Sequence, residues 1–396
     1  MKPSSPKFIL VIAYSIFLLL GMFNAAIGPV LGDLAEQTSS SISAIGGVIT
    51  FLFLGALIAQ IGAGPLNDRF GEKILLIISL VLLSTGIIGF INARNLPLMF
   101  IFILLTGLGQ GGVDLGGNLI VADAYPKSNA SVLNLLHFFF GVGAFIGPAL
   151  VGLAGNMNRS GLIIHWISAA IFLLLSFAIL IFFNNHERII VEADFVQGKK
   201  PDNFEIYRSS LVWLLGLLLL IFVGIEYGLG SWITTYMKNT TKMAIQNGAL
   251  VTSAYWGALA IGRLVSAVVT RMLTRIQLLT IAISSSLIGG IGLMITNGLI
   301  VPTIICLVWI SFSFGTVMPT GYAIAASAFP EHKGKAVGVL AALGSIGGLT
   351  LPWLAGLLIA TQSNLSFVWF IDIWIALLLL VLFFINRTLI RNQYLQ

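Results

Sequence analysis

The stretch "GPLNDRFGEKILL", residues 64–76, places four charged side chains between two long apolar segments. The flanking segments, 42–64 and 74–93, are each about as long as a helix that crosses a bilayer. Gly64, Pro65 and Gly71 are residues that interrupt helices and permit tight turns. The stretch therefore predicts a short polar turn between two membrane-spanning helices.

The composition of the whole chain agrees with this interpretation. Of 396 residues, 58% are hydrophobic and only 9% are charged, with a mean hydropathy of +1.03. A soluble chain is roughly 25% charged. Long apolar segments recur from end to end, and helices satisfy their own backbone hydrogen bonds in lipid. We expect an all-α polytopic membrane protein rather than a barrel, whose strands would show short alternating segments.

The apolar segments predict twelve spans, and the first is expected to be retained rather than cleaved as a signal peptide. With the N-terminus inside, fifteen Lys and Arg residues fall on the cytoplasmic side and four on the external side. This bias predicts that both termini are cytoplasmic. The predicted spans are 8–32, 42–64, 74–93, 97–122, 131–155, 161–184, 209–237, 245–268, 276–296, 299–326, 336–360 and 364–386.

The chain divides into two halves of six spans. We predict an N-terminal half at 1–184, a cytoplasmic linker at 185–208 and a C-terminal half at 209–396. A shift of 202 residues aligns "GAL" at 55–57 with "GAL" at 257–259. A shift of 204 residues aligns Pro126 with Pro330, Gly143 with Gly347, Pro148 with Pro352 and Gly152 with Gly356. Such a duplication is typical of transporters that bind their solute between the halves.

The 64–76 stretch resembles the signature loop of the major facilitator superfamily. The resemblance implies the two-half transporter fold and a conformational latch that holds the outward-facing state. Glu72 departs from the pattern, which usually has a basic residue there. The latch residues that it implies are Gly64, Asp68, Arg69, Gly71 and Lys73, with Arg271 as the counterpart of Arg69 in the second half.

Four ionisable residues lie well inside predicted spans: Asp114, His137, Glu226 and Arg263. Charged groups are costly in the bilayer and usually mark solute or proton pathways. Burial favours the protonated form of a carboxylate, so these residues are candidates for proton coupling. The alternative is that Asp114 pairs with Arg263 or His137 only to neutralise a buried charge.

Several amides and aromatic rings near these residues suit a polyhydroxylated solute. Hydroxyl groups need donors and acceptors, and the apolar face of a sugar stacks on flat rings. Asn134 could instead link two helices, and the two aromatic residues of the seventh span could form an interfacial belt. The candidates for substrate binding are Asn24, Asn118 and Asn134, together with Trp232 and Tyr236.

Three segments resemble the fucose–galactose–glucose:proton symporter family and its sugar-permease relatives. They are "GLGQGGVDLGGNLIVADAYP", "NLLHFFFGVGAFIGP", and "VGIEYGLGSWITTYM" followed by "SAYWGALAIGRL". The resemblance adds Trp256 to the substrate-binding candidates and implies that Asp114 couples protons to sugar movement. Asn24 stands where fucose-type members have an acidic residue, which argues against fucose itself.

These observations favour proton-coupled symport of a sugar or related polyol by alternating access, with sodium as the other possible coupling ion. The main alternative is proton-coupled export, because "GVGAFIGPALVG" (141–152) also resembles an antiporter motif. A non-transporting sensor or scaffold is less favoured, because the longest polar segment is only the 185–208 linker. No enzymatic motif is recognisable.

The remaining expectations are mostly exclusions. Cys306 stands alone, so we expect no disulfide and no cysteine metal site, and no cofactor or nucleic acid is expected. His165 is predicted to be a packing residue, and Asp33 and Asp372 to be interface charges near helix ends. We expect a monomer in the cell (inner) membrane.

Overall fold

The computed structural model describes residues 6–125, 129–183, 205–270, 272–296, 298–361 and 364–391, and the regular structure in these ranges is helical. A 3-10 turn, Pro330–His332, precedes α13. The helices are α1 (Pro6–Gln37), α2 (Ile42–Ile45), α3 (Gly47–Asn92), α4 (Leu96–Ala124), α5 (Asn129–Asn156), α6 (Ile163–Phe182), α7 (Glu205–Arg208), α8 (Ser210–Thr241), α9 (Ile245–Val269), α10 (Arg275–Ile295), α11 (Ile300–Phe314), α12 (Val317–Ala328), α13 (Lys333–Ala360) and α14 (Asn364–Arg391).

The described residues contain eleven helical segments that are long and apolar enough to cross a membrane. The chain is therefore a multi-pass integral membrane protein. One of these segments, Ile42–Asn92, has 51 residues and would extend about 75 Å as a straight helix, against about 30 Å for the hydrocarbon core.

The long segment is interrupted at Gly71, whose backbone angles are φ 80° and ψ 168°. Residues with a side chain essentially never adopt this conformation. The predicted turn within 64–76 is thus reduced to one glycine. Helix continues on both sides of Gly71, so the two helical segments approach each other more closely along the chain than the predicted spans 42–64 and 74–93.

The helices form two groups that follow the order of the chain. Before residue 183, α3 packs on α4 and α6, and α1 packs on α5 and α6. After residue 205, α8 packs on α13 and α14, α10 on α11 and α14, and α11 on α9. The groups meet mainly where α1 packs on α8, α3 on α13, and α5 on α9.

The packing inside the two groups repeats. Gly143 of α5 lies so close to α1 that a methyl group there would overlap the carbonyl oxygen of Leu18. Gly347 of α13 makes the same close approach to the carbonyl oxygen of Leu220 in α8. These are the pairs that the shifts of 202 and 204 residues relate, so the sequence repeat corresponds to a repeated helix contact.

Contacts between the groups concentrate towards one end of the bundle, which we call the Gly46 end; the other is the Gly71 end. Gly28 of α1 lies against the Ser231 backbone of α8, and Gly152 of α5 against Gln246 of α9. At mid-height, Ser253 of α9 donates a hydrogen bond to a carbonyl oxygen of α5. Towards the Gly71 end, by contrast, the side chains of Asn134 and His137 in α5 are exposed.

Candidate functional site

An ion pair between α8 and α9 forms one side of the site. Arg263 Nη2 donates to Glu226 Oε1 at 3.1 Å. The Tyr255 hydroxyl donates to the backbone carbonyl of Glu226, also at 3.1 Å, and ties the same helices together. The Glu226 side chain is 3% exposed and that of Arg263 is 23% exposed. The carboxylate is therefore enclosed, while part of the guanidinium reaches the opening between the two groups of helices.

Asp114 of α4 lies on the other side of the site and is half-buried. The Asn118 amide donates to the backbone carbonyl of Asp114 at 2.6 Å, not to its carboxylate. Tyr227 and Tyr322 lie within electrostatic range of both Asp114 and Glu226, so the two carboxylates share one site. In the described part of the chain, no hydrogen-bond donor is recorded for the Asp114 carboxylate.

The sequence left open whether Asp114 pairs with Arg263 or with His137. In this conformation Arg263 pairs with Glu226. The His137 ring lies edge-on to Phe17, with 5.7 Å between ring centroids, and it is within electrostatic range of Arg263. The His137 side chain is exposed.

Two buried polar atoms next to the site lack partners among the described residues. The Asn24 amide donates to the Leu20 carbonyl at 2.8 Å, but its Oδ1 accepts no hydrogen bond. The indole Nε1 of Trp256 is likewise buried and unpartnered. The Trp256 ring packs against Tyr227, with 5.4 Å between centroids. A solute hydroxyl could accept from Trp256 or donate to Asn24.

Trp232 and Tyr236 have surroundings that the sequence did not indicate. Both are completely buried, so they neither line the opening nor form an interfacial belt in this conformation. Trp232 Nε1 donates to the Pro352 carbonyl at 2.8 Å, and its ring lies against Gly46 and Gly356. This arrangement gives no support to a stacking role for Trp232, and its contact with a solute stays a prediction.

Sequence reasoning missed Tyr227 and Tyr322, although each had a signal. Tyr227 directly follows Glu226. The 204-residue shift aligns Tyr322 with Asn118. Asn118 itself lies one helical turn from Asp114. A search of the repeat for polar residues aligned with the candidates would have found it.

The predicted latch residues lie around the Gly71 turn. Asp68 and Arg69 are exposed and Lys73 is half-buried. The Arg69 guanidinium stacks over Phe70 at 5.1 Å from the ring centroid. Arg271 lies outside the described residues, so its pairing with this segment stays a prediction.

His165 and Asp372, for which the sequence also gave predictions, lie outside the site. His165 is fully buried with its ring near Phe23, at 5.6 Å between centroids, which agrees with a packing position, but neither ring nitrogen has a hydrogen-bond partner among the described residues. Asp372 is 5% exposed, so the expectation of an interface charge was wrong. Its carboxylate enters the bundle interior because Gly290 on the facing helix leaves space for it.

A sequence profile described as the Major Facilitator Superfamily matches residues 13–333. The mouse (Mus musculus) sodium-dependent glucose transporter 1A is 25% identical over 407 aligned positions, covering 93% of this chain and 94% of the relative. The resemblance inferred from the sequence is thereby confirmed.

Solved structures of low sequence identity share the fold. A D-xylose–proton symporter superposes with a TM-score of 0.79 at 17% identity, covering 95% of this chain and 96% of that chain. A bacterial homologue of the human lysosomal transporter Spinster, in an inward-facing and unoccupied conformation, gives a TM-score of 0.79 at 15% identity and 98% coverage of both chains.

Proposed function

Because this chain belongs to the major facilitator superfamily, we propose that it is a secondary active transporter that moves a sugar or related polyol together with a proton. It works by alternating access, in which the site between the helix groups opens to one side of the membrane at a time. The observation that carries the proposal is the Asp114 carboxylate, which has no donor among the described residues and shares its tyrosine neighbours with the Glu226–Arg263 pair.

The proposed topology has twelve spans in two halves, 1–184 and 209–396, joined by the linker 185–208. Interruption at Gly71 divides the long helical segment into the second and third spans. The Gly71 end carries Lys7, Arg208, Arg275 and Lys335, among other basic residues. By the positive-inside rule this end and both termini are cytoplasmic, in the inner membrane of the cell. The conformation is then inward-facing, sealed at the external Gly46 end.

Proton coupling follows from competition for one guanidinium. In this conformation Glu226 holds Arg263, an interaction that the deprotonated carboxylate favours. A proton on Glu226 removes the charge that holds Arg263 and frees the guanidinium to approach Asp114. Because the two carboxylates belong to different halves, this exchange changes the attraction between the halves. His137, at the opening, is placed to pass protons between the site and water.

The solute is bound by the amides and rings that surround the two carboxylates. Asn118 and Asn134 line the N-terminal side, and Trp256 offers an unpartnered indole N–H on the other. Tyr227 and Tyr322 add hydroxyl groups and apolar ring faces. A sugar presents both hydroxyls and an apolar face. The printed names of relatives, a glucose transporter and a D-xylose–proton symporter, support this solute class.

The export alternative loses its main sequence argument. Its evidence was the glycine-rich segment 141–152, and the glycines there have a packing role. Gly143 and Gly147 let α5 approach the backbone of α1 at Leu18 and Met22. Close packing inside one half explains these small residues without an antiporter function.

A ligand screen tests the solute class. Thermal unfolding of the purified protein would be followed with hexoses, pentoses, polyols and amphipathic cations, since a ligand that binds the folded state raises the melting temperature. Stabilisation by sugars or polyols that is lost in Trp256→Phe and Asn118→Ala is expected. Stabilisation by amphipathic cations alone would overturn symport of a sugar in favour of export.

A further inference from the structure

A second buried carboxylate lies outside the site between the helix groups. Asp372 of α14 is 5% exposed. Its carboxylate lies against Gly290 of α10, where any Cβ would overlap Oδ1. Tyr236 of α8 lies within electrostatic range of Asp372. Tyr236 is ten residues, or about 15 Å along α8, from Glu226, so this is a different place in the C-terminal helices.

The oxygen atoms in this place have no hydrogen-bond partners. Within the described residues, both Asp372 oxygens and the Tyr236 hydroxyl are buried and unpartnered. The Tyr236 ring is held by Phe367, with 5.4 Å between centroids. Buried polar groups are nearly always paired, and each exception requires an explanation. The unpartnered oxygens of Asp372 and Tyr236, on the packed helices α14 and α8, therefore require an explanation.

Among the residues that the structure describes, no fixed positive charge lies near enough to Asp372 to serve as its partner. α14 packs on α8, α10 and α13. The ionisable residues of α10 and α13 are Arg275, Lys333 and Lys335, all at the opposite end of the bundle. On α8, Lys238 follows Tyr236 by two residues and is exposed. Cys306 of α11 also lies near Tyr236 but carries no positive charge. A proton or a cation from solution must therefore neutralise the Asp372 carboxylate.

We propose that Asp372 and Tyr236 form part of a sodium site in the C-terminal helices. Carboxylate and hydroxyl oxygens are ligands for hard cations. One carboxylate balances one positive charge, whereas a divalent ion would leave an uncompensated charge inside the bilayer. A sodium ion bound by the carboxylate and the phenol would give these buried oxygens a partner.

The site is linked to the sealed end of the bundle. Tyr236 lies one helical turn beyond Trp232, and Trp232 contacts Gly46 in the N-terminal group. An ion at Asp372 fixes this part of α8 and so stabilises the sealed conformation. The inference depends neither on the identity of the solute nor on Asp114.

The test is thermal unfolding of the purified full-length protein in NaCl, KCl or choline chloride at equal ionic strength and fixed pH. We expect NaCl alone to raise the melting temperature by several degrees, and Asp372→Asn to abolish the effect. Asp33→Asn, which removes an exposed carboxylate on α1, and Asp114→Asn should keep it, so the result is independent of the proposed transport function.

Two further variants keep the test valid if Asp372→Asn fails to fold. Tyr236→Phe should raise the sodium concentration for half-maximal stabilisation about tenfold, the change that 1.4 kcal/mol produces. Gly290→Ala displaces the carboxylate without removing a polar group and should also abolish the effect. Equal stabilisation by all three salts would overturn the proposal. Sodium stabilisation that survives in these variants would also overturn it. The proposal would fail as well if low pH, and not sodium, stabilised the protein and Asp372→Asn removed that stabilisation.

Discussion

Asp114 and Glu226 are both carboxylates inside membrane-spanning helices, yet they have different partners. Glu226 is enclosed and bound to Arg263 at 3.1 Å. Asp114 is half-buried, and no described residue donates to its carboxylate. A paired carboxylate keeps its charge because its partner stabilises it, whereas one without a partner gains or loses a proton more readily. The two residues are therefore suited to different steps of coupling.

Asp114→Asn should separate binding from coupling. Asparagine has the same size but cannot exchange a proton, so accumulation of solute against a gradient should be lost. Exchange of labelled for unlabelled solute across proteoliposomes needs no net proton movement and should persist.

The matched control is Asp33→Asn, which removes an exposed carboxylate near the end of α1 and should leave both activities intact. Normal accumulation by the Asp114 variant would remove Asp114 from the coupling mechanism.

The Glu226–Arg263 pair predicts non-additive effects on stability. Glu226→Gln leaves a mostly buried guanidinium without its counter-charge, so we expect a loss of about 1–3 kcal/mol, seen as a lower melting temperature. The double variant Glu226→Gln/Arg263→Gln removes both charges and should be more stable than the single one. Additive losses would show that the two side chains do not interact in the membrane.

At this scale the sequence predicted the ionisable residues but not their partners. An acidic residue inside an apolar segment is conspicuous, and Asp114, Glu226 and Arg263 were found in this way. The helices that face each other are determined by packing within and between the two groups of helices. The pairing of Arg263 with Glu226 could therefore not be predicted. The same limit applied to Trp232, whose burial depends on the neighbouring Gly46 and Gly356.

Among the elements, the crossing of α1 and α8 closes the Gly46 end. Gly28 lies directly against the Ser231 backbone, and a methyl group there would be 2.6 Å from its carbonyl oxygen. One turn further along α1, a methyl group at Gly32 would meet nothing within 4 Å. Substitution of Gly28 therefore tests whether this crossing controls opening, and substitution of Gly32 is the matched control.

Gly28→Ala should force α1 and α8 apart and favour the conformation in which the Gly46 end is open. Spin labels at Asn92→Cys and Lys238→Cys, introduced into Cys306→Ser, would report the distance between the halves at that end. We expect the longer distances to gain population in Gly28→Ala but not in Gly32→Ala. Unchanged distances in both variants would show that this crossing does not control opening.

Gly71 is the residue that interrupts the long helical segment. Its φ of 80° and ψ of 168° are restricted to glycine, so Gly71→Ala should cost about 1–3 kcal/mol. We expect a lower melting temperature and slower transport. Gly64→Ala is the control, because a methyl group there meets nothing within 4 Å and its φ is negative. Equal stability of the two variants would contradict a fixed turn at Gly71.

Helix positions follow apolar length, and most predicted spans therefore fall on observed helices. The exception was the 64–76 stretch, where the sequence predicted a loop. Charged residues are compatible with either a loop or an exposed helix, and only the backbone shows that the interruption is confined to Gly71.

Across the whole molecule, the repeat explains why two groups of helices form. The Gly143–Leu18 and Gly347–Leu220 contacts occupy equivalent places in the two groups. The functional residues break this symmetry: Asp114 aligns with Met318, and Asn118 aligns with Tyr322. A duplicated scaffold thus holds an asymmetric set of candidate site residues.

The central claim is that proton and solute move together in the same direction. The most direct measurement uses sodium-free proteoliposomes loaded with a pH-sensitive dye, to which the most stabilising sugar or polyol is added. The account predicts acidification of the vesicle interior that depends on the solute and disappears in Asp114→Asn. Solute entry without proton movement, or with protons leaving the vesicles, would contradict proton-coupled symport.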